Sequence, residues 1–235
     1  MKSSFYVRLW SLALAGTLVI PWVSQPAHSQ TSAAEEQVLN EMDKSAADFR
    51  SAQASLDVDL YTSLVKETET QKGNIYFRRQ GSDTQMMLEI IQPPQSVLVS
   101  GGKLQLFEPK ANRVTVYDLS KHQDEYESLL KLGFGGGGHA LLKSFELKYL
   151  GTEKVAGIDA AKFDLVPKNP KVQNMVPHIV LWIDPARGVA VQQQLFEQGG
   201  EDYRLSKYSG IDLERKIPDA VFQLKTDGKT TFQNM

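Results

Sequence analysis

The side chains that could do chemistry are scattered along this sequence rather than gathered. His122, His139 and His178 lack the short spacing that brings ligands together on one helix or loop, so no metal is expected. The run Gly135-Gly136-Gly137-Gly138 invites comparison with a phosphate loop, but no Lys-Ser or Lys-Thr follows it and no parallel strand leads through it into a long helix. A flexible hinge or a plain loop is expected there. No serine lies in a Gly-x-Ser-x-Gly elbow between strand and helix, which argues against a hydrolase. Glu35 and Glu36 fall at a helix start, where the helix dipole favours carboxylates without any catalytic role. There is no cysteine, so disulfides, thiol catalysis and cysteine ligation are all ruled out. The expectation is a protein that is not an enzyme and uses no cofactor.

What the sequence does repeat is an apolar row, and one such row ends in a cation. Gly73, Ile75, Phe77 and Arg79 share a face at period two. Met86, Leu88 and Ile90 share another, alternating with Met87 and Glu89, so the leucine face is read as the inward one. Such rows suit the burial of an apolar ligand, and they suit an ordinary core equally well. A guanidinium at the end of the row could donate to carbonyls left unpaired at helix ends. It could also reach out to water on its aliphatic stem.

The elements that would position these rows begin after an N-terminal leader. Lys2 and Arg8 precede an apolar run from Leu9 to Val23, followed by Pro26 and the triplet Ala27-His28-Ser29, which is the layout of a secretory signal peptide. The apolar run, about 15 residues, is shorter than the roughly 20 of a bilayer span. Residues 1–29 are therefore expected to be removed, leaving residues 30–235 as a single exported domain. The formal charge is −2, and loss of Lys2 and Arg8 leaves 24 basic and 28 acidic residues, a charge of −4. That balance argues against nucleic acid as a partner. Without a cysteine to acylate, the exported chain is expected to diffuse freely.

One amphipathic helix opens this domain, with Val38, Leu39, Met42, Ala46 and Phe49 on one face and Ser32 and Glu35 at capping-box spacing. From Ala54 the period becomes two, with Leu56, Val58, Leu60 and Leu64 alternating with polar residues. Strands are then expected at Gly73–Arg79, Thr84–Ile91, Ser96–Ser100, Lys103–Glu108 and Arg113–Asp118, separated by turns such as Gly81-Ser82-Asp83 and Pro93-Pro94. The β pattern stops between Leu119 and Ser144, where Tyr126, Leu129, Leu130 and Phe134 suggest a short helix and Ala140–Lys143 a second. Strands resume at Phe145–Leu150, Ala160–Val166, His178–Asp184, Val189–Glu197 and Asp202–Leu213, with one more at Val221–Leu224. The sum is an all-β chain with short helices, about eleven antiparallel strands in an unclosed barrel. Periodicity does not separate a filled core from a cavity beneath the helices.

The stretch Gly73-Asn74-Ile75-Tyr76-Phe77-Arg78-Arg79, then Gln92-Pro93, then Ser96-Val97-Leu98-Val99-Ser100-Gly101-Gly102-Lys103, resembles the successive strands of the LolA family of lipoprotein carriers. Phe163-Asp164-Leu165-Val166-Pro167-Lys168 followed by Leu181-Trp182-Ile183-Asp184 is similar to that family's second half. The resemblance runs from the first helix to Phe222 and departs at Gln80, where the family often has proline. It implies an unclosed β-barrel with a helical lid and an apolar interior that takes up lipoprotein acyl chains. It implies a periplasmic carrier, monomeric, loaded by an inner-membrane lipoprotein-releasing complex and emptied by an outer-membrane acceptor. Ile75, Phe77, Met86, Leu88 and Ile90 would then line the cavity, Arg79 would be the lid switch, and Leu129, Leu130, Leu132 and Phe134 would belong to the lid. A helix packed permanently on the barrel is the alternative for the last four. A periplasmic lipid or lipoprotein sensor on the same fold is the alternative for the whole chain.

Overall fold

In a computed structural model, α1 spans Ala33–Asp48 and starts on a complete capping box. The Ser32 hydroxyl accepts from the Glu35 backbone N–H at 3.1 Å, and the Glu35 carboxylate accepts from the Ser32 N–H at 3.4 Å. Residues 32–81, 83–120 and 123–235 are described, those from Ser32 on forming one compact unit. The expected signal peptide at residues 1–29, Ser82 in its turn, His122 and the Tyr126 side chain lie outside the described residues. Val38, Leu39 and Met42 of α1 are buried, as is Phe49 just beyond it.

The strands are β1 (Ser51–Thr62), β2 (Glu67–Gln80), β3 (Asp83–Ile90), β4 (Gln95–Ser100), β5 (Lys103–Glu108) and β6 (Arg113–Asp118), then β7 (Phe145–Val155), β8 (Ile158–Pro167), β9 (Ile179–Asp184), β10 (Val189–Phe196), β11 (Tyr203–Asp212) and β12 (Thr231–Asn234). Between β6 and β7 lie α2 (Gln123–Leu130) and α3 (Gly138–Ser144); α4 (Pro170–Met175) follows β8. All twelve strands make one sheet in the order β12-β6-β5-β4-β3-β2-β1-β11-β10-β9-β8-β7. The edges β12 and β7 do not pair, so the barrel is unclosed. Every pairing is antiparallel except β12 with β6.

Two expectations need correction, and two elements stand beside those expected. Against an expectation of about eleven strands the described residues form twelve, because Thr231–Asn234 adds in parallel to β6, a pairing across more than a hundred residues that local pattern does not announce. Val221–Leu224 is not a strand; Asp219–Phe222 is a 3-10 turn led by Pro218, which has no N–H to give a ladder. Leu64 does not continue the buried row of β1, since the strand ends at Thr62 and Leu64 is 91% exposed in the hairpin turn. The helix α4 is an addition to the expected elements, although Asn169-Pro170 is a legible start: the Asn169 side chain accepts from the Lys171 N–H at 2.9 Å.

The inner face carries the main core. Ala52 and Ala54 of β1, Ile75 and Phe77 of β2, and Phe163, Leu165, Ile179, Leu181 and Ile183 of β8 and β9 meet Val38 and Met42 of α1 there. The outer face is not left to water either. Met87 and Leu98 are buried beneath Ile217 and Phe222, which follow β11 and cross back over the sheet.

Candidate functional site

The site is built from cross-strand pairs on the inner face. Ile75 pairs with Leu88 and Phe77 with Met86 across β2 and β3, while Gly73 pairs with Ile90. Ile75, Phe77 and Ile90 are buried, and Met86 and Leu88 are half-buried against the main core. The register continues the row: Leu88 faces Val97, Val97 faces Leu106, and Val99 faces Leu104. Val97, Leu104 and Leu106 are half-buried. Sequence reading names the site rows only on β2 and β3 and leaves these three out, although Leu104 and Leu106 alternate with Lys103 and Gln105 and would have been found by the same period of two.

The cover over the row comes from the segment between β6 and β7. α2 ends at Leu130, so Leu132 and Phe134 belong to the turn after it, yet they are 3% and 1% exposed. Phe134 stacks on Phe77 with ring centroids 5.1 Å apart and meets Tyr208 edge-on at 5.2 Å. Burial pushes the Tyr208 phenol up to about 12, and its hydroxyl donates to Gln193 at 3.1 Å. The turn is pinned from below where the Ala190 N–H donates to the Gly133 carbonyl at 2.9 Å. Leu129 packs on the same core, whereas Leu130 lies at its margin beside Thr84, Val99 and Leu119. Crevices of about 320 and 240 Å³ run along α3, sharing Ser128, Lys143, Ser144 and Phe145. The cover thus fills the middle of the inner face and seats loosely at its edge.

Arg79 reaches this cover. Its guanidinium donates to the Ala46 carbonyl in the last turn of α1 at 3.1 Å and to the Gly135 carbonyl at 3.4 Å, and it lies 5.7 Å from the Phe49 ring. Both acceptors are carbonyls without a helical partner of their own, the kind that helix ends leave open. Arg78 points to the opposite face, where it donates to Gln85, to the Ile217 carbonyl and to Asp219 and sits 4.4 Å over the Phe222 ring. Adjacent arginines on a strand thus hold two different coverings, α1 with the inserted turn inside and the segment after β11 outside.

A second fastening joins α3 to α1. His139 donates its backbone N–H to Asp43 at 3.2 Å, and its ring nitrogens meet the carboxylates of Asp43 and Glu36. The hydrogen bond to Asp43 is the main reason its imidazole titrates above the ordinary histidine range. Gly138 makes this approach possible, because a Cβ there would lie 2.4 Å from the Leu39 carbonyl oxygen. The glycine run, expected as a hinge or plain loop, is therefore packed against α1 at its last position. His178 lies elsewhere, bonded to Asp164 at 2.9 Å and stacked on Phe196. Among the described residues no group of three or more acidic, histidine or cysteine side chains could hold a metal, and no helix is long and apolar enough to cross a membrane.

An unclosed antiparallel sheet behind a leading helix, with a helical insertion between the sixth and seventh strands seated on its inner face, is the architecture that the resemblance to lipoprotein carriers implied. The fold is shared with solved structures. No family model matches the sequence, and no curated protein does. Among solved structures the chain is similar to an uncharacterized conserved protein from Thermus thermophilus, at 8% identity and TM-score 0.53, covering 85% of this chain and 98% of that one. It is similar to MucB at 16% identity and TM-score 0.50, covering 85% of this chain but 64% of MucB, less than two thirds of its length. A LolA superfamily protein from Nitrosomonas europaea matches at 14% identity and TM-score 0.40, covering 80% and 97%. At these identities the likeness is one of fold. The cross-strand register sets Ile75, Phe77, Met86, Leu88 and Ile90 in neighbouring rows of β2 and β3, and Leu129, Leu132 and Phe134 pack on the same core with Leu130 at its margin.

Proposed function

We propose that this chain is a periplasmic carrier that takes the acyl chains of lipidated proteins onto the inner face of its sheet and transfers them from the inner to the outer membrane. The observation that carries the reading is the seating of Phe134 on Phe77, in a turn tethered by Arg79 rather than by a continuous helix. Leu132 and Phe134 occupy the place an acyl chain would take. Burying one such side chain is worth about 1.5–3 kcal/mol, while each methylene of a fatty acyl chain contributes about 0.8 kcal/mol, so a long chain outcompetes them. The half-buried Leu88, Val97, Leu104 and Leu106 offer the first contact surface beside the cover. Few oriented polar groups line this row, which suits a ligand that must later be given up.

In this reading residues 1–29 are a signal peptide and residues 30–235 one carrier domain. An inner-membrane lipoprotein-releasing complex loads the monomer, and an outer-membrane acceptor empties it. The experiment is native mass spectrometry of the protein purified from the periplasm. Co-purified lipoprotein or diacylated species that disappear on Leu88→Glu would support the carrier. A protein that is always ligand-free, and takes up no lipoprotein when mixed with it in detergent below micelle concentration, would refute it.

A further inference from the structure

One hollow lies at the rim where the inner and outer faces meet, and its lining is unlike the rest of this acidic chain. Arg50, Ser51, Arg78, Arg79, Lys216 and Asp219, with Ile217 and Pro218, surround about 490 Å³. Four of these eight are cations and one is a carboxylate, so the hollow carries an excess of about three positive charges, against a formal −2 for the whole sequence. Asp219 is already engaged by Arg78. Arg50 and Arg79 spend their guanidinium donors on neutral acceptors: Arg50 on the Ala47 and Phe49 carbonyls at 3.4 and 3.0 Å, Arg79 on Ala46 and Gly135. All four of those carbonyls belong to the end of α1 or to the turn that covers the inner face.

We infer that this hollow is a binding site for a phosphate group, and that occupancy draws Arg79 away from Ala46 and Gly135 and so loosens the cover. Guanidinium forks match phosphate oxygens in pairs, and a bond to an anion is stronger than one to a neutral carbonyl, so the exchange runs toward the anion. An excess of three cations suits a net anion, whether free phosphate near double charge or the singly charged phosphodiester of an anionic lipid headgroup. The hollow is also larger than a bare phosphate, and it opens at the side chain that ends the apolar row. A phosphate on a lipid headgroup would therefore sit at Arg50 and Lys216 while its acyl chains faced Ile75 and Phe77. Free phosphate offers the same chemistry without the chains. The coupling to the cover rests on the carrier reading; the anion site itself does not.

The test uses the purified full domain and three probes: inorganic phosphate, dihexanoyl phosphatidylglycerol and dihexanoyl phosphatidylcholine, each titrated by calorimetry with neutral Nile red uptake measured in parallel. Phosphatidylglycerol is expected to bind at least tenfold more tightly than phosphatidylcholine, and the preference should shrink as salt rises. The double variant Arg50→Gln with Lys216→Gln should weaken anion binding about tenfold, whereas the charge-keeping pair Arg50→Lys with Lys216→Arg should retain it. Uptake of Nile red should rise on anion addition in the parent and not in the glutamine variant. Binding of inorganic phosphate without any preference for phosphatidylglycerol would keep the site and reject the lipid source. Equal affinity for both lipids together with no phosphate binding, or an unaffected glutamine variant with a parental melt, would overturn the site. If the glutamine variant still carries lipoprotein in native mass spectrometry, the carrier reading stands whatever the fate of this one.

Discussion

Replacing Arg79 with leucine removes both bonds from its guanidinium to the cover without altering the sheet pairing, which runs through the backbone. The bond to Ala46 at 3.1 Å is well formed, and the one to Gly135 at 3.4 Å is long and counts for less. Hydrogen bonds involving a charge are worth about 1.5–3 kcal/mol each, and Arg79 is only half-buried, so the pair together is assigned about 1.5–3 kcal/mol. At about 1.4 kcal/mol per decade, this raises the opening equilibrium of the cover by roughly ten- to hundredfold. The opening is read at the Ala190 amide, which donates to the Gly133 carbonyl and is freed only when the turn lifts. Hydrogen exchange there should quicken by that factor, Nile red should bind more strongly, and captured lipoprotein should pass to an acceptor less readily because closure no longer helps expel it. Arg78→Leu makes an informative contrast rather than a silent one. It should speed exchange around Ile217 and Phe222 and leave Ala190 protected. Parental exchange at Ala190 in Arg79→Leu would show that Arg79 is an ordinary rim arginine and that the tether carries no energy.

Leu88→Glu should abolish lipoprotein binding while Glu89→Leu, which gives up only an ion pair with Lys225 on the outer face, should leave it nearly intact; equal losses in a pull-down would put the register in error. Gly138→Ala places a methyl 2.4 Å from the Leu39 carbonyl oxygen and should cost about 1–3 kcal/mol in a urea melt, since α1 backbone, not a mobile side chain, must yield. The hydrogen bond to Asp43, helped by Glu36, favours the protonated imidazole of His139, so its folded value stands above its unfolded one. The α1–α3 fastening is then complete below the ordinary histidine range and is lost as pH rises through the folded value. An NMR titration of His139 should midpoint above that of an unfolded peptide and fall back in Asp43→Asn; an unchanged midpoint would remove the fastening from the account. Cells expressing the full chain should release a form beginning at Gln30, and a membrane-bound product that keeps Met1 would show that the leader is an anchor.

Local pattern is enough to find most of what is built locally. The capping box at Ser32 and Glu35, the alternation in β1, and the row Gly73, Ile75, Phe77, Arg79 all follow from periods of 3.6 and two residues, which the covalent chain imposes wherever a helix or strand forms. That Arg79 ends an apolar row is visible for the same reason. Which carbonyls it meets is not, because Ala46 and Gly135 lie 33 and 56 residues away and arrive only when α1 and the turn after α2 have both seated. Period two tells which side chains share a face, never what will cover that face. Met87 is on the expected side of β3, but only the segment carrying Ile217 and Phe222 makes it one of the most buried residues of the chain. Phe134 reads as the end of a helix, and the backbone path through Gly133 is what drops its ring onto Phe77. Composition and pattern make the chain all-β and acidic. The gathering of Arg50, Arg78, Arg79 and Lys216 around one hollow is decided by tertiary structure alone, since it joins the end of α1, the end of β2 and the chain beyond β11, segments that share no local pattern and meet only through packing.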